Sequence, residues 1–97
     1  MFYIVTYDIE TSVSGQARLR KVAKLCEQYG IRVQNSVFEM ELSSSEMILL
    51  KDGLKNILDL SCDSLRIYTI GKKADTKIEV FGKRNIIEIS SQDAFFL

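Results

Sequence analysis

The chain has 97 residues, 46% of them hydrophobic and 27% charged, and a formal net charge of zero. Those values fit one soluble globular domain and exclude a disordered or low-complexity chain. The longest uncharged apolar run, Phe2 to Tyr7, is far short of the roughly 20 residues of a membrane helix, so no membrane association is expected. The N-terminus has no basic stretch ahead of an apolar one, so no secretory signal is expected either.

Histidine is absent. That excludes Ser-His-Asp and Cys-His catalysis and any His-bound transition metal. Catalysis would have to use carboxylates, a hard cation such as Mg²⁺, or the residues of a partner. Cys26 and Cys62 are the only cysteines and make neither a disulfide framework nor a zinc site. Both read as core or half-buried thiols in a reducing cytoplasm. The zero net charge conceals five blocks: −2 over residues 1–10, +4 over 11–36, −4 over 37–63, +4 over 64–84 and −2 over 85–97. Such segregation suits a polyanion on one face and water on the other, and equally a set of solvated surfaces.

In chain order, Phe2 to Ile9 is β-branched, aromatic and apolar on both parities until Asp8, the pattern of a central strand covered on both faces. Glu10 to Gly15 is polar and turn-like. From Gln16 the period becomes helical, with Leu19, Val22, Ala23 and Cys26 on one stripe, widened by Leu25 and Tyr29. Gly30 falls where a helix end favours a left-handed residue. Over Ile31 to Leu42 the apolar parity slips across Gln34-Asn35-Ser36, which predicts two short strands with a bulge or tight turn near Asn35. Ser43 and Glu46 form a capping box for a second helix, whose inner face is Met47, Leu50, Leu54, Ile57 and Leu58.

Asp59 to Asp63 is the exit loop, and Leu65 to Ile70 alternates as a strand that stops at Gly71. Lys72 to Thr76 is a turn, and short strands are expected over Lys77–Phe81 and Asn85–Ile89. The apolar end Phe95-Phe96-Leu97 suggests docking, for instance onto a second subunit. The whole is an α+β, ferredoxin-like βαββαβ plan in a single domain, residues 1–97, with both helices on one side of an antiparallel sheet and an additional C-terminal strand. Extra strands and an exposed sheet predict a homodimer, with residues 77–97 pairing with the partner.

Asp8 asks for an explanation. A carboxylate near the end of an apolar strand is costly unless it is solvated, paired or bound to a cation. It caps the following turn, or it is a ligand of Mg²⁺ or Mn²⁺ that needs its twin across a dimer axis. Arg18, Arg20, Lys21, Lys24 and Arg32 are candidate phosphate contacts, or a merely soluble helical surface. Tyr3, Tyr7, Phe38 and Tyr68 have the π faces to stack on bases, although strand aromatics usually pack the core.

The opening VTYDIET, followed by RLRKVAKLCEQYGIRVQNSVFE and later by DSLRIYTIGKK, resembles the small CRISPR-associated adaptation nucleases, the second of the two universal adaptation protein families. The resemblance covers most of residues 1–73 and rests on the joint spacing of the three pieces. It implies a prokaryotic, cytoplasmic, ferredoxin-like homodimer whose C-terminal strand pairs with the partner's sheet. It further implies a metal-dependent endonuclease on single-stranded RNA or double-stranded DNA, which also scaffolds spacer acquisition with the integrase subunit. Asp8 matches the aspartate that holds a divalent metal, Mg²⁺ or Mn²⁺, shared across the dimer. Tyr7, Arg32 and Phe38 match positions tied to activity or substrate contact, and Arg20 and Lys21 lie in the basic helix. The alternatives are a duplex-binding scaffold that cleaves nothing, a toxin-type endoribonuclease of similar fold, and a ligand-sensing domain. The last would leave the basic helix unexplained.

Overall fold

The computed structural model describes residues 1–82 and 94–96. Strand β1 (Phe2–Asp8) leads to helix α1 (Val13–Glu27), the hairpin β2 (Ile31–Gln34) and β3 (Val37–Glu41), helix α2 (Ser44–Ile57) and strand β4 (Ser64–Gly71). One sheet has the order β2-β3-β1-β4, with every neighbouring pair antiparallel. This is the expected βαββαβ arrangement. A 3₁₀ turn over Lys73–Asp75 and strand β5 (Ile78–Val80) follow, and β5 pairs parallel with β6 (Ala94–Phe96) in a separate two-stranded sheet. The strand expected over Asn85–Ile89 lies outside the described residues. Pairing of residues 77–97 with a partner is a property of two chains; within this chain β6 lies beside β5.

The two-residue period of β1 decides what the site looks like. Val5 and Tyr7 join Phe38, Met40 and Leu42 of the β3 segment in a core with Val22 and Cys26 of α1 and Met47, Leu50 and Leu54 of α2. The opposite parity, Ile4, Thr6 and Asp8, faces the side that carries no helix. The sequence pattern predicts cover on both faces of β1. Among the described residues helices cover one face only, and Ile4 and Thr6 stay partly exposed.

The segment after Gly71 accounts for part of the other face. Gly71 has φ of +126°, which turns the chain back over the open side. The Lys73 ammonium sits 5.8 Å from the centre of the Phe2 ring, which is 2% exposed yet outside the main core. Ile78 to Phe81 then line a cavity of about 240 Å³ with Val33, Gln34 and Glu39. The Phe2 end of the open face is therefore screened, and no described segment crosses the Asp8 end.

Two local expectations need correction. Helix α1 begins at Val13, three residues before the periodic stripe, because Ser12 caps it by accepting from the Gly15 N–H at 2.9 Å. Gly30 is not left-handed. Among the described glycines only Gly71 and Gly82 have positive φ. A Cβ at Gly30 would collide with the Glu39 carbonyl and the Met40 side chain, so glycine is there for close packing against β3. Two other predicted signals hold. The chain turns at Asn35-Ser36 beside a register shift, and Ser43 and Glu46 close a reciprocal capping box.

Candidate functional site

Asp8 ends β1 opposite Ser64 of β4 and is exposed. Its carboxylate makes no hydrogen bond or ion pair with any described residue, so the turn-capping role is not what places it there. Thr6 and Arg66 are a register pair on the same face, and the Arg66 guanidinium donates to the Tyr68 hydroxyl at 3.2 Å. Ile4, Val37 and Tyr68 give this face an apolar strip beside its charges, with Tyr68 46% exposed.

Tyr7 points the other way. Its ring lies in the helix-covered core, 6.2 Å from the Phe38 ring at an interplanar angle of 28°. The Tyr7 hydroxyl is buried without a hydrogen-bond partner among the described residues, and burial raises its pKa above the ordinary tyrosine value. It borders a cavity of about 280 Å³ lined by Leu19, Ala23, Arg32, Asn35 and Ser36. Tyr7 and Asp8, both expected to be catalytic, therefore face opposite sides of one sheet and cannot act on one bond within a protomer.

Phe38 needs the same correction. It is fully buried, so it cannot stack on a base. It is a core residue that supports Arg32, whose guanidinium carbon lies 5.4 Å from the centre of its ring. Arg32 also pairs with Glu27 at 3.4 Å across the α1–β2 corner.

The basic helix divides in two. Arg20, Lys21 and Lys24 are exposed on the outer side of α1 and make no ion pair with a described residue. Arg18 is turned inward. Its Nε donates to Asp63 Oδ2 at 2.7 Å and its Nη2 to Oδ1 at 3.2 Å, a forked ion pair. Asp63 also accepts from the Glu10 N–H and the Asp59 N–H, each at 3.0 Å. Its side chain is wholly buried.

The Arg18 fork, with the two backbone donors, holds the Asp63 carboxyl well below the usual carboxylate range. A depressed carboxyl stabilises the fold fully above the unfolded-state value of about 3.9, and that contribution is lost as pH falls below it. The sequence alone gives Asp63 no role beyond the exit loop. The available signal is an acid just ahead of an apolar strand, with an arginine on the helix it must pass.

The thiols separate likewise. Cys26 is in the core, and burial pushes its thiol up to about 12. Cys62 is exposed, not half-buried as its sequence context suggests. Burial of its sulfur and the carboxylates of Asp59, Asp63 and Glu10 raise its pKa as well.

The described residues contain no group of three or more Cys, Asp or Glu able to hold a metal ion. Among the described residues no helix is long and apolar enough to cross a membrane.

Residues 1–78 match the family model described as CRISPR associated protein Cas2. The chain is 47% identical over 90 residues to the CRISPR-associated endonuclease Cas2 of Halalkalibacterium halodurans, covering 92% of this chain and 94% of that protein. It is 41% identical over 87 residues to the CRISPR-associated endoribonuclease Cas2 3 of Rhodospirillum rubrum, covering 89% and 92%. Among solved structures, Streptococcus pyogenes Cas2 at pH 6.5 superposes with a TM-score of 0.70 at 49% identity, over 73% of this chain and 87% of that one. The hypothetical protein TT1823 from Thermus thermophilus superposes at 0.72 with 37% identity, over 87% and 93%. A family match over most of the sequence, and a shared fold at these identities, agree with the sheet order: the chain belongs to the CRISPR-associated Cas2 family.

Proposed function

We propose that the protein is a CRISPR-associated endonuclease that hydrolyses phosphodiester bonds of single-stranded RNA or double-stranded DNA, acting as a cytoplasmic homodimer. The observation that carries this reading is the placement of Asp8: exposed, unpaired among the described residues, and on the sheet face that has no helix. A partly apolar face with a carboxylate at its bare end suits a second copy of the chain. Two such faces brought together would set Asp8 of one protomer against Asp8 of the other.

One carboxylate holds a hard cation weakly, whereas two with water and phosphate oxygens make a firmer site. The donor set fits Mg²⁺ or Mn²⁺ only in that paired form. A divalent ion held there would polarise the phosphodiester and lower the pKa of a bound water. The chain's own part is to fix the ion through Asp8 and to draw in the phosphate backbone through Arg20, Lys21 and Lys24. Arg32, which the family resemblance associates with substrate contact, is held beside Glu27 at 3.4 Å.

The names of the relatives in Halalkalibacterium halodurans and Rhodospirillum rubrum, an endonuclease and an endoribonuclease, support nuclease chemistry. They give no support to a toxin-type enzyme. A second role as the dimeric scaffold that presents a spacer duplex to the integrase subunit uses the same basic surface. That role does not need Asp8.

The test is cleavage of RNA and duplex DNA by wild type and Asp8→Asn, with Mg²⁺ or Mn²⁺ and with EDTA. Since a group that organises the reacting centre is worth about 10²-fold or more, Asp8→Asn is expected to lose at least that factor while keeping duplex binding and its Tm. Undiminished cleavage by Asp8→Asn, or cleavage in EDTA, would refute the assignment. Loss of spacer capture in Asp8→Asn would contradict the division between the two roles.

A further inference from the structure

The carboxylate of Asp63 is the most completely coordinated side chain described in this protein. An ionised carboxylate offers about four lone-pair positions, and here four N–H groups fill them. Oδ1 takes the Glu10 N–H and Arg18 Nη2; Oδ2 takes Arg18 Nε and the Asp59 N–H. The Cys62 thiol lies 3.7 Å from Oδ1 as a weak fifth donor.

These donors come from three places: the exit of β1, the middle of α1, and the loop that leaves α2. The residue after Asp63 is Ser64, the β4 register partner of Asp8. Asp63 thus grips Glu10 two residues past Asp8 and, through the adjoining strand, supports Asp8 itself. Its fork to Arg18 anchors α1, the helix on which Arg20, Lys21 and Lys24 are carried.

We infer that Asp63, with Arg18, is a positioning pair for the nuclease site: it sets where the Asp8 carboxylate stands relative to the basic row of α1. The inference rests on Asp8 being the working carboxylate. Arg18 then contributes orientation and does not touch phosphate. That distinction has kinetic consequences, because removing a group that binds phosphate raises KM, whereas displacing a catalytic group lowers kcat. The conservative change Asp63→Asn is not neutral here. Each carboxylate oxygen accepts two N–H donors, so an amide in either orientation sets its NH₂ against two of them.

The experiment compares wild type, Asp63→Asn, Arg18→Lys and Asp8→Asn on one duplex, at a temperature where circular dichroism shows each variant folded. Glu10 amide exchange is followed by NMR as a second readout. A displacement of about 1 Å at a reacting group costs up to about 10²-fold. On that scale Asp63→Asn is expected to lose about tenfold in kcat per folded molecule with KM within about twofold, and the Glu10 amide to exchange faster. Arg18→Lys, which leaves Asp63 in place, is expected to lose about threefold in kcat, also at constant KM.

If Asp63→Asn does not fold, Arg18→Lys carries the test alone. An unchanged kcat in the folded variants overturns the inference, as does an Arg18→Lys defect that lies wholly in KM. Full activity in Asp8→Asn is a different result, since it removes the proposed function whatever Asp63 does.

Discussion

Tyr7 and Asp8 are consecutive residues of one strand, and the two faces they occupy obey different rules. On the helix side, Tyr7, Phe38, Val22 and Leu50 are almost wholly buried, and each position is decided by packing. On the other side, Asp8 is exposed and Tyr68 partly so, and nothing in the described chain explains a carboxylate beside an apolar strip. The lesson is that adjacency along a strand argues against a shared site. A motif that reads as a unit in sequence, tyrosine then aspartate, is divided by the pleat into a core residue and a surface group.

Phe38→Ala would break the comparison most visibly. Truncating a fully buried phenylalanine costs about 3–5 kcal/mol, read as a fall in the urea midpoint. A variant of wild-type stability with weakened nucleic-acid binding would mean instead that Phe38 faces the substrate.

The exposed half of the basic helix gives the next largest effect. Each phosphate neutralised on B-form DNA contributes about −0.9 to the slope of log affinity against log salt. Changing Arg20, Lys21 and Lys24 together to glutamine is therefore expected to make that slope shallower by about 2–3 units, as measured by fluorescence anisotropy across a salt series. An unaltered slope would reduce these residues to a solvated surface.

Tyr7→Phe is the smallest and the sharpest in sign. Removing a buried hydroxyl that has no partner among the described residues relieves a desolvation cost, so stability is expected to hold or rise by up to about 1 kcal/mol. Cleavage is expected to be unchanged. A marked loss of kcat in a stable Tyr7→Phe would return the tyrosine to the chemistry.

Much of the architecture is legible in the sequence because it depends on local signals. The helical period within α1, the parity slip at Asn35 and the Ser43–Glu46 box each identify one element without reference to the others. The family resemblance is legible for the same reason, being carried by contiguous stretches. Less legible is everything that depends on two segments meeting. Gly30 reads as a helix stop, and only the nearby Glu39 carbonyl makes it a packing requirement. Arg18 looks like its basic neighbours until the loop brings Asp63 to it. Phe38 and Tyr7 meet the usual fate of strand aromatics, which the pattern favours and the resemblance overrides.

Two copies of one open face, joined so that a pair of Asp8 carboxylates shares an ion, is the claim on which the functional reading depends. Mn²⁺ titration by calorimetry, on protein whose mass in solution is measured alongside, tests it most directly. The account predicts a dimer binding one ion per two chains, with that binding lost in Asp8→Asn. One ion per chain, or Mn²⁺ binding that survives Asp8→Asn, would contradict it.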